Sequence, residues 1–175
     1  SDLRNTQARA ARATDREGHV SARPPKLATE SLSFGVDGRS ILRNVDLRVA
    51  AGETVTVVGP SGAGKSTLLR LLGRLDEPTG GPVSLDETDY RTIDQTALRA
   101  RVGMVPQDPA LRDGTVHDNA TTGPRLRGDP VAPGRVETLL ERVDLAGYAD
   151  RSATDLSGRE APRVAIPRKL MVDPE

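Results

Sequence analysis

The chain has 175 residues, a length that typically folds around one hydrophobic core. Apolar residues make up 35% and aromatic residues 2%, so the core must be built from Leu, Val, Ile and Ala, which suits an α/β domain. The 25 basic and 25 acidic residues balance and give no overall field for nucleic acid, while the absence of cysteine excludes disulfides, thiolate metal sites and cysteine nucleophiles. Because no apolar run is long enough to span a bilayer or to serve as a signal-peptide core, the chain is expected to be cytoplasmic.

Residues 1–26 are predicted to be a mobile basic extension. They carry six basic and three acidic side chains, show no apolar periodicity, and reach Arg23-Pro24-Pro25 near their end. A basic arm that touches lipid or nucleic acid is a second interpretation of this segment. The ordered domain is predicted to cover residues 27–175.

Two segments with alternating apolar residues predict an antiparallel hairpin. Residues 32–34 and 41–49 alternate apolar and polar side chains, and Asp37-Gly38 between them is typical of a tight two-residue turn. The β-branched residues 55–58 predict a further strand.

A glycine-rich loop follows that strand and is the most informative feature of the sequence. It has the pattern G-x-x-x-x-G-K-[ST] and precedes an apolar segment predicted to be helical from near Gly64 to about Gly73. Glycines allow backbone N–H groups to fold around a polyphosphate, Lys65 would reach the β- and γ-phosphates, and the Ser66 hydroxyl would bind Mg²⁺. The predicted phosphate-binding residues are Gly59, Pro60, Ser61, Gly62, Ala63, Gly64, Lys65, Ser66 and Thr67.

Later segments continue to alternate between strand and helix patterns. Residues 83–85 and 102–105 predict short buried strands, whereas residues 96–99 and 136–143 predict helices. Such alternation favours an α/β fold with a parallel sheet.

Two further motifs indicate which family of nucleotide-binding proteins the loop resembles. Gln107 follows the predicted strand 102–105, and Leu156-Ser157-Gly158 precedes a predicted helix about fifty residues later. With the loop, and in this order, they resemble the ATP-binding cassette (ABC) transporter ATPases over residues 27–175. Gly52-Glu53 and residues 75–80 and 114–119 are similar to importer-type members, and residues 123–128 to phosphate-type importers.

The resemblance implies a P-loop NTPase fold with an antiparallel β subdomain, an incomplete parallel-sheet core and a helical signature subdomain. It implies ATP and Mg²⁺ as cofactors, with Lys65 and Gln107 in catalytic roles and Ser66 and Gln107 at the metal. Ser157 and Gly158 would cap the γ-phosphate held by a second ATPase subunit, most simply in a homodimer. The expected partners also include integral membrane transporter subunits, without nucleic acid, which would place the chain at the cytoplasmic face of the cell membrane.

Several positions depart from the family pattern. In the family, a strand ending in a Mg²⁺-binding Asp and a catalytic Glu follows the segment that resembles residues 170–175, where this chain ends. Arg159 replaces the second signature glycine and is expected to obstruct the backbone amides, although its guanidinium could instead contact phosphate. Pro167 falls inside the predicted helix, where proline costs about 3 kcal/mol.

Other residues that could serve the site are weaker candidates. His19 lies in the extension, and His117 is expected at the surface, so neither is expected to replace a catalytic group. The aromatic residue that would stack on adenine is not evident, because Val36 occupies the matching position and Phe34 is interpreted as a core residue.

The sequence therefore leaves two functions open. The chain either binds MgATP as part of an ATPase that powers solute import, or it is a non-hydrolytic nucleotide-binding fragment. A small-molecule kinase is disfavoured because Gln107 and residues 156–158 would then need coincidental explanations.

Overall fold

A computed structural model describes residues 9–12 and 24–174 of the chain. Contacts between Cα atoms divide it into two compact units, residues 1–98 and 99–175. In the described residues of the first unit the strands are β1 (Arg9–Arg12), β2 (Leu27–Val36), β3 (Arg39–Val49), β4 (Val55–Val58), β5 (Val83–Leu85) and β6 (Thr88–Asp89). The helix α1 (Lys65–Leu72) lies between β4 and β5, and the helix α2 (Gln95–Arg101) contains the boundary between the units.

The larger sheet confirms the predicted hairpin. Its strand order is β3-β2-β5-β6, and each neighbouring pair is antiparallel. Asp37 and Gly38 join β2 to β3 with φ angles of 50° and 75°. Positive φ at both central residues is the requirement of a type I′ turn, whose twist matches that of the two strands. β2 begins at Leu27, the first residue of the predicted domain.

The second sheet pairs β4 with β1 in antiparallel orientation, with Val55 opposite Arg12 and Val58 opposite Arg9. The residues of β1 belong to the segment that the sequence predicted to be mobile, but in the structure they pair with β4. This pairing provides hydrogen-bond partners for backbone N–H and C=O groups of β4, which a strand needs. The remainder of that segment, residues 1–8 and 13–23 with His19, lies outside the described residues. All strand pairs in the described residues are antiparallel, so the parallel pairing expected from the strand and helix alternation is not among them. Val58 is 50% exposed.

The core of the first unit lies between the larger sheet and α1. Leu68, Leu71 and Leu72 form the buried face of α1, while Leu69 on the other face is exposed. This spacing is the helical periodicity of a one-sided helix. The helix ends at Gly73 as predicted. Other buried apolar residues of the same unit include Leu32, Leu42, Leu47, Val83, Leu85, Tyr90 and Leu98.

The second unit is helical in its described residues. Its helices after α2 are α3 (Val116–Ala120), α4 (Thr122–Arg127), α5 (Arg135–Glu141) and α6 (Ala161–Leu170). The predicted helix at 136–143 is confirmed as α5. The hydrophobic cluster that holds these helices together consists of Val116, Ala120, Val136, Leu139, Leu140, Leu145, Val164 and Met171.

A capping box begins α3, a helix that the sequence analysis did not predict. The Thr115 hydroxyl accepts a hydrogen bond from the Asp118 N–H at 3.0 Å, and the Asp118 carboxylate accepts one from the Thr115 N–H at 3.0 Å. The two bonds satisfy donors that a helix start otherwise leaves unpaired. His117 lies on this helix and is exposed, as expected.

The prediction of a strand at residues 102–105 is wrong. Residues 102–105 form no strand, and Val105 is 42% exposed, because a strand needs a neighbouring backbone and these residues take part in no strand pairing among the described residues. α6 continues through Pro167 even though proline lacks the N–H of the helical ladder, and the next turn closes with a 2.9 Å bond from Met171 N to Pro167 O. Pro162 lies in the first turn, where it is tolerated. None of the described helices is both long and apolar enough to cross a membrane.

Candidate nucleotide-binding site

The glycine-rich loop lies between β4 and α1, as the sequence predicted. α1 begins at Lys65, and Gly64 before it has a left-handed conformation with φ of 86°. A Cβ atom at Gly64 would lie 2.8 Å from Leu42 Cδ2, a side chain on the neighbouring strand β3. Glycine is therefore required at this position both by the backbone angle and by the close approach of β3.

Lys65 folds back over the loop. Its Nζ donates hydrogen bonds to the carbonyl oxygens of Gly59 and Pro60, at 2.8 and 2.7 Å. These bonds place the ammonium group within the curve of the loop, and the same geometry allows a phosphate enclosed by the loop to contact it.

The start of α1 offers backbone donors to an anion. The first backbone bond of the helix runs from Leu68 N to Gly64 O at 2.9 Å, and no side chain caps the N-terminus. In the described residues, the N–H groups of residues 64–67 therefore have no backbone acceptor. With the helix dipole and the exposed Ser66 hydroxyl, this donor set fits a polyphosphate with its Mg²⁺ ion.

Gln107 lies in the second unit, in an exposed bend after residues 103–106, which have no regular secondary structure. It does not end a strand, which corrects the placement predicted for it. Its side chain makes no hydrogen bond to the described residues, so its amide is available to a ligand. The physical reason for the correction is the absence of strand pairing at residues 102–105, just before Pro106.

Residues 157–160, called the signature turn below, lie before α6, and Ser157, Gly158 and Arg159 in it are exposed. The Ser157 carbonyl oxygen accepts hydrogen bonds from the N–H groups of Glu160 and Ala161, both at 3.0 Å. A Cβ atom at Gly158 would meet no atom within 4 Å, and Arg159 is exposed with no hydrogen bond or ion pair to the described residues. The turn therefore presents a small residue and a free guanidinium to its surroundings.

The Glu160 carboxylate stabilises this turn through two hydrogen bonds. Its Oε2 accepts a 2.8 Å bond from the Ser157 N–H, and its Oε1 accepts a 2.9 Å bond from the Tyr148 hydroxyl. Hydrogen bonds from the Ser157 side chain and backbone, followed by that from Tyr148, lower the pKa of Glu160 to about 2. The carboxylate is therefore ionised throughout the physiological pH range.

Phe34 is not a core residue, which corrects the interpretation of the sequence. It is half-buried and, close to the turn of the hairpin, lines a surface cleft together with Leu42, Arg39 and Arg43. Val36, at the position expected for an adenine-stacking aromatic, is 46% exposed. The cleft offers an aromatic side chain and two guanidinium groups, but position 36 offers no ring.

The structure brings the loop residues 59–67 together in the first unit and holds Ser157 and Gly158 in one turn of the second unit, with Gln107 elsewhere in that unit. Sequence reasoning missed Glu160 and its partner Tyr148. The spacing of Ser157 and Glu160, which matches the S-x-x-E capping box, was a signal that could have found the first of them.

The family model described as "ABC transporter" matches residues 42–175. The chain belongs to the ABC transporter family. It is 47% identical to "Protein STAR1" of Oryza sativa subsp. japonica over 91% of this chain and 47% of that protein. It is 44% identical to "Phosphate import ATP-binding protein PstB 2" of Natronomonas pharaonis over 85% of this chain and 57% of that protein. The chain thus spans about half the length of the curated relatives it matches.

A solved structure supports the fold of this ABC family member. The chain superposes on a bacterial Atm1-family ABC exporter with ATP bound at a TM-score of 0.72 and 29% sequence identity, over 99% of this chain and 30% of that one. The predicted P-loop NTPase fold of the ABC ATPase type is confirmed. Proteins of this family generally bind ATP with Mg²⁺ and pair with membrane subunits.

Proposed function

We propose that this chain binds MgATP through residues 59–67 and serves as the ATP-binding subunit of an ABC transporter. The observation that carries the proposal is the geometry of the loop, in which left-handed Gly64 opens α1 while Lys65 Nζ lies against the loop carbonyl oxygens. The uncapped N–H groups at the start of α1 supply the matching donors for phosphate oxygens.

Each side chain has a defined role in this proposal. Lys65 neutralises charge on the β- and γ-phosphates, and Ser66 holds the Mg²⁺ ion, whose positive charge assists phosphoryl transfer. Gln107 orients the attacking water and contributes to the metal site. Because phosphoryl transfer requires positioning and charge neutralisation more than covalent chemistry from the protein, these polar groups are the kind that the reaction needs.

The signature turn would complete the site of a second copy. Gly158 has open space around its Cα, so packing within the described chain does not require glycine there. Close approach of a phosphate from a facing subunit would explain the small residue. The second ATPase subunit, integral membrane subunits and a place at the cytoplasmic face of the cell membrane all belong to this proposal, as does solute import, which the name of the phosphate import relative supports.

Binding of a fluorescent ATP analogue to the 175-residue chain tests the first step. Lys65→Ala is expected to abolish binding, and Ser66→Ala to remove the gain in affinity that Mg²⁺ provides. Arg142→Ala, which removes an exposed basic charge outside the loop, is the matched control and is expected to bind normally. At a concentration of ATP 100 times Kd, the free energy of unfolding should rise by about 2.7 kcal/mol. Equal binding by the wild type and Lys65→Ala would refute the proposal.

A non-hydrolytic nucleotide-binding role is the second candidate. Arg159 at the signature turn and the unpaired segment at residues 102–105 favour it, because both change surroundings that hydrolysis requires. Phosphate release at saturating MgATP separates the two roles. Turnover of about one per second that Lys65→Ala abolishes would support the ATPase, whereas ATP binding without turnover would support the second role.

A further inference from the structure

Arg168 belongs to the inner face of α6, in the second unit. Its position is one helical turn after Val164 and Ala165, which are buried in the core of the unit. One nitrogen of its guanidinium, Nη1, donates a 3.1 Å hydrogen bond to the carbonyl oxygen of Ala110. Arg168 therefore connects α6 to residues 109–112, a segment without regular secondary structure.

The other two nitrogens of the Arg168 guanidinium have no acceptor. Nε and Nη2 are both shielded from solvent, and neither has a hydrogen-bond partner within residues 9–12 and 24–174. Their N–H groups lie along one edge of the planar guanidinium, the edge that can bind a carboxylate through two parallel hydrogen bonds. Because buried donors in native proteins are nearly always paired, an unpaired and charged edge points to a binding site.

Another arginine of the chain shows which group matches this edge. Arg70 donates from Nε and Nη2 to the two carboxylate oxygens of Asp76, at 2.6 and 2.8 Å. These two bonds are the main reason that the pKa of Asp76 lies below its usual value. A carboxylate therefore fits the same two nitrogens of Arg168 in shape and in charge.

The charges that act on Arg168 are positive. Burial lowers the pKa of its guanidinium, and the charge of Arg112 lowers it further. Burial also lowers the pKa of the neighbouring Lys169, followed by the charges of Arg99 and Arg168. Within residues 24–174, none of these four basic side chains forms an ion pair. Their combined field favours a negatively charged ligand.

The segment 109–112 is bonded to α3 on its other side. Arg112 N–H donates to Asn119 Oδ1 at 2.8 Å, and Asn119 Nδ2 donates to the Arg112 carbonyl oxygen at 2.9 Å. Asn119 lies on α3 and is only 1% exposed. The segment is thus joined to α3 by a reciprocal pair of bonds, but to the Arg168 guanidinium by one bond.

We propose that Arg168 is the recognition edge of a site for a small carboxylate, enclosed between α6 and residues 109–112. The carboxylate accepts two parallel hydrogen bonds from Nε and Nη2, while Nη1 keeps its bond to Ala110. Entry requires movement of this segment, in which Ala110 and Arg112 are exposed, and not of a helix. An occupied site fixes the segment, which begins two residues after Gln107, to α6. The site does not depend on the proposed function, since none of its residues belongs to the phosphate-binding loop.

The first test titrates acetate into the 175-residue chain without nucleotide and follows the Nε–H signals of arginine by NMR, with chloride at equal ionic strength as the reference. Through-bond correlations to the backbone identify the Arg168 signal. It should shift saturably in acetate and not in chloride, because an N–H bonded to a carboxylate forms a short, charge-assisted bond. The Nε–H of Arg163, on the same helix but paired with Asp144, is the control and should not saturate. A linear response of the Arg168 signal, or none, would overturn the proposal.

The second test measures amide hydrogen exchange at Arg112 in the same titration. If the segment opens only after the ligand leaves, acetate at ten times its dissociation constant should slow this exchange about tenfold. Arg168→Lys should remove the effect, because an ammonium cannot form the two parallel bonds. Arg163→Lys is the matched substitution on α6 and should retain it.

Lys65→Ala separates this site from anion binding at the phosphate-binding loop and should also retain the full effect of acetate. Equal slowing at Arg112 in the wild type and in Arg168→Lys would overturn the assignment of the recognition edge. The wild-type titration of the Arg168 signal decides whether the site exists even if Arg168→Lys does not fold.

Discussion

Replacing Gly64 by alanine tests the close contact between the phosphate-binding loop and β3. Gly64 has φ of 86°, and the added Cβ would lie 2.8 Å from Leu42 Cδ2. A left-handed conformation costs a residue with a side chain about 1–2 kcal/mol. Favourable contacts between carbon atoms lie near 3.5–4.0 Å, so Leu42 must move.

The space for that movement is small because Leu42 is only 3% exposed. Inserting a methyl group into a filled interior costs about 1–3 kcal/mol. Gly64→Ala should therefore lower the free energy of unfolding by about 2–5 kcal/mol, the sum of the two effects. Gly52→Ala is the matched control, since Gly52 has φ of 76° but an added Cβ there would meet no atom within 4 Å. Gly52→Ala should therefore lower the free energy of unfolding only by the cost of a left-handed backbone conformation, about 1–2 kcal/mol.

Urea unfolding of the two variants and the wild type, followed by circular dichroism at one pH, gives the comparison. The difference between Gly64→Ala and Gly52→Ala isolates the contact with Leu42. Equal losses in the two variants would show that Leu42 moves aside without cost and would refute the account of close packing under the loop.

Three further changes test other parts of the structure. Tyr90 is 1% exposed and its hydroxyl lacks a hydrogen-bond partner among the described residues, so Tyr90→Phe should raise the free energy of unfolding by about 1 kcal/mol in urea titrations; a decrease would reveal a missing partner. Pro167→Ala should raise the free energy of unfolding by about 1–2 kcal/mol, because alanine restores an N–H inside α6. A lower melting temperature of the variant would show instead that the buried proline ring contributes more than the restored hydrogen bond. The pKa of Glu160 is lowered from 4.5 to about 2, so its carboxylate contributes stability that is full above pH 4.5 and is lost as the pH falls through about 2. Glu160→Gln should therefore flatten the dependence of stability on pH over that window, and an unchanged curve would contradict the contacts of Glu160 with Ser157 and Tyr148.

Local elements near the site could be predicted from sequence. The turn at Asp37-Gly38 depends on two residues that accept positive φ, and α1 depends on apolar residues at helical spacing. The loop before α1 was identifiable because its glycines and Lys65 occur at fixed positions relative to one another. In each case the information lies within a few consecutive residues.

Predictions that depended on pairing between distant segments were less successful. Residues 102–105 have the composition of a buried strand, yet they lack a neighbouring strand in the described residues and form no regular secondary structure. Phe34 is a large apolar side chain of the kind that usually lies in a core, but it lines a surface cleft near the hairpin turn and is only half-buried. The capping box of α3 was readable in Thr115 and Asp118 and was missed.

The sequence by itself determined the loop at residues 59–67, the hairpin and the helix α1 that follows the loop, because such patterns depend on neighbouring residues and on backbone angles. Only the tertiary structure decided that β1 pairs with β4, that Leu42 packs against Gly64, and that Glu160 joins Ser157 to Tyr148. These arrangements depend on contacts between residues that are far apart in the chain or on the direction of individual side chains. Periodicity and composition do not specify either of them.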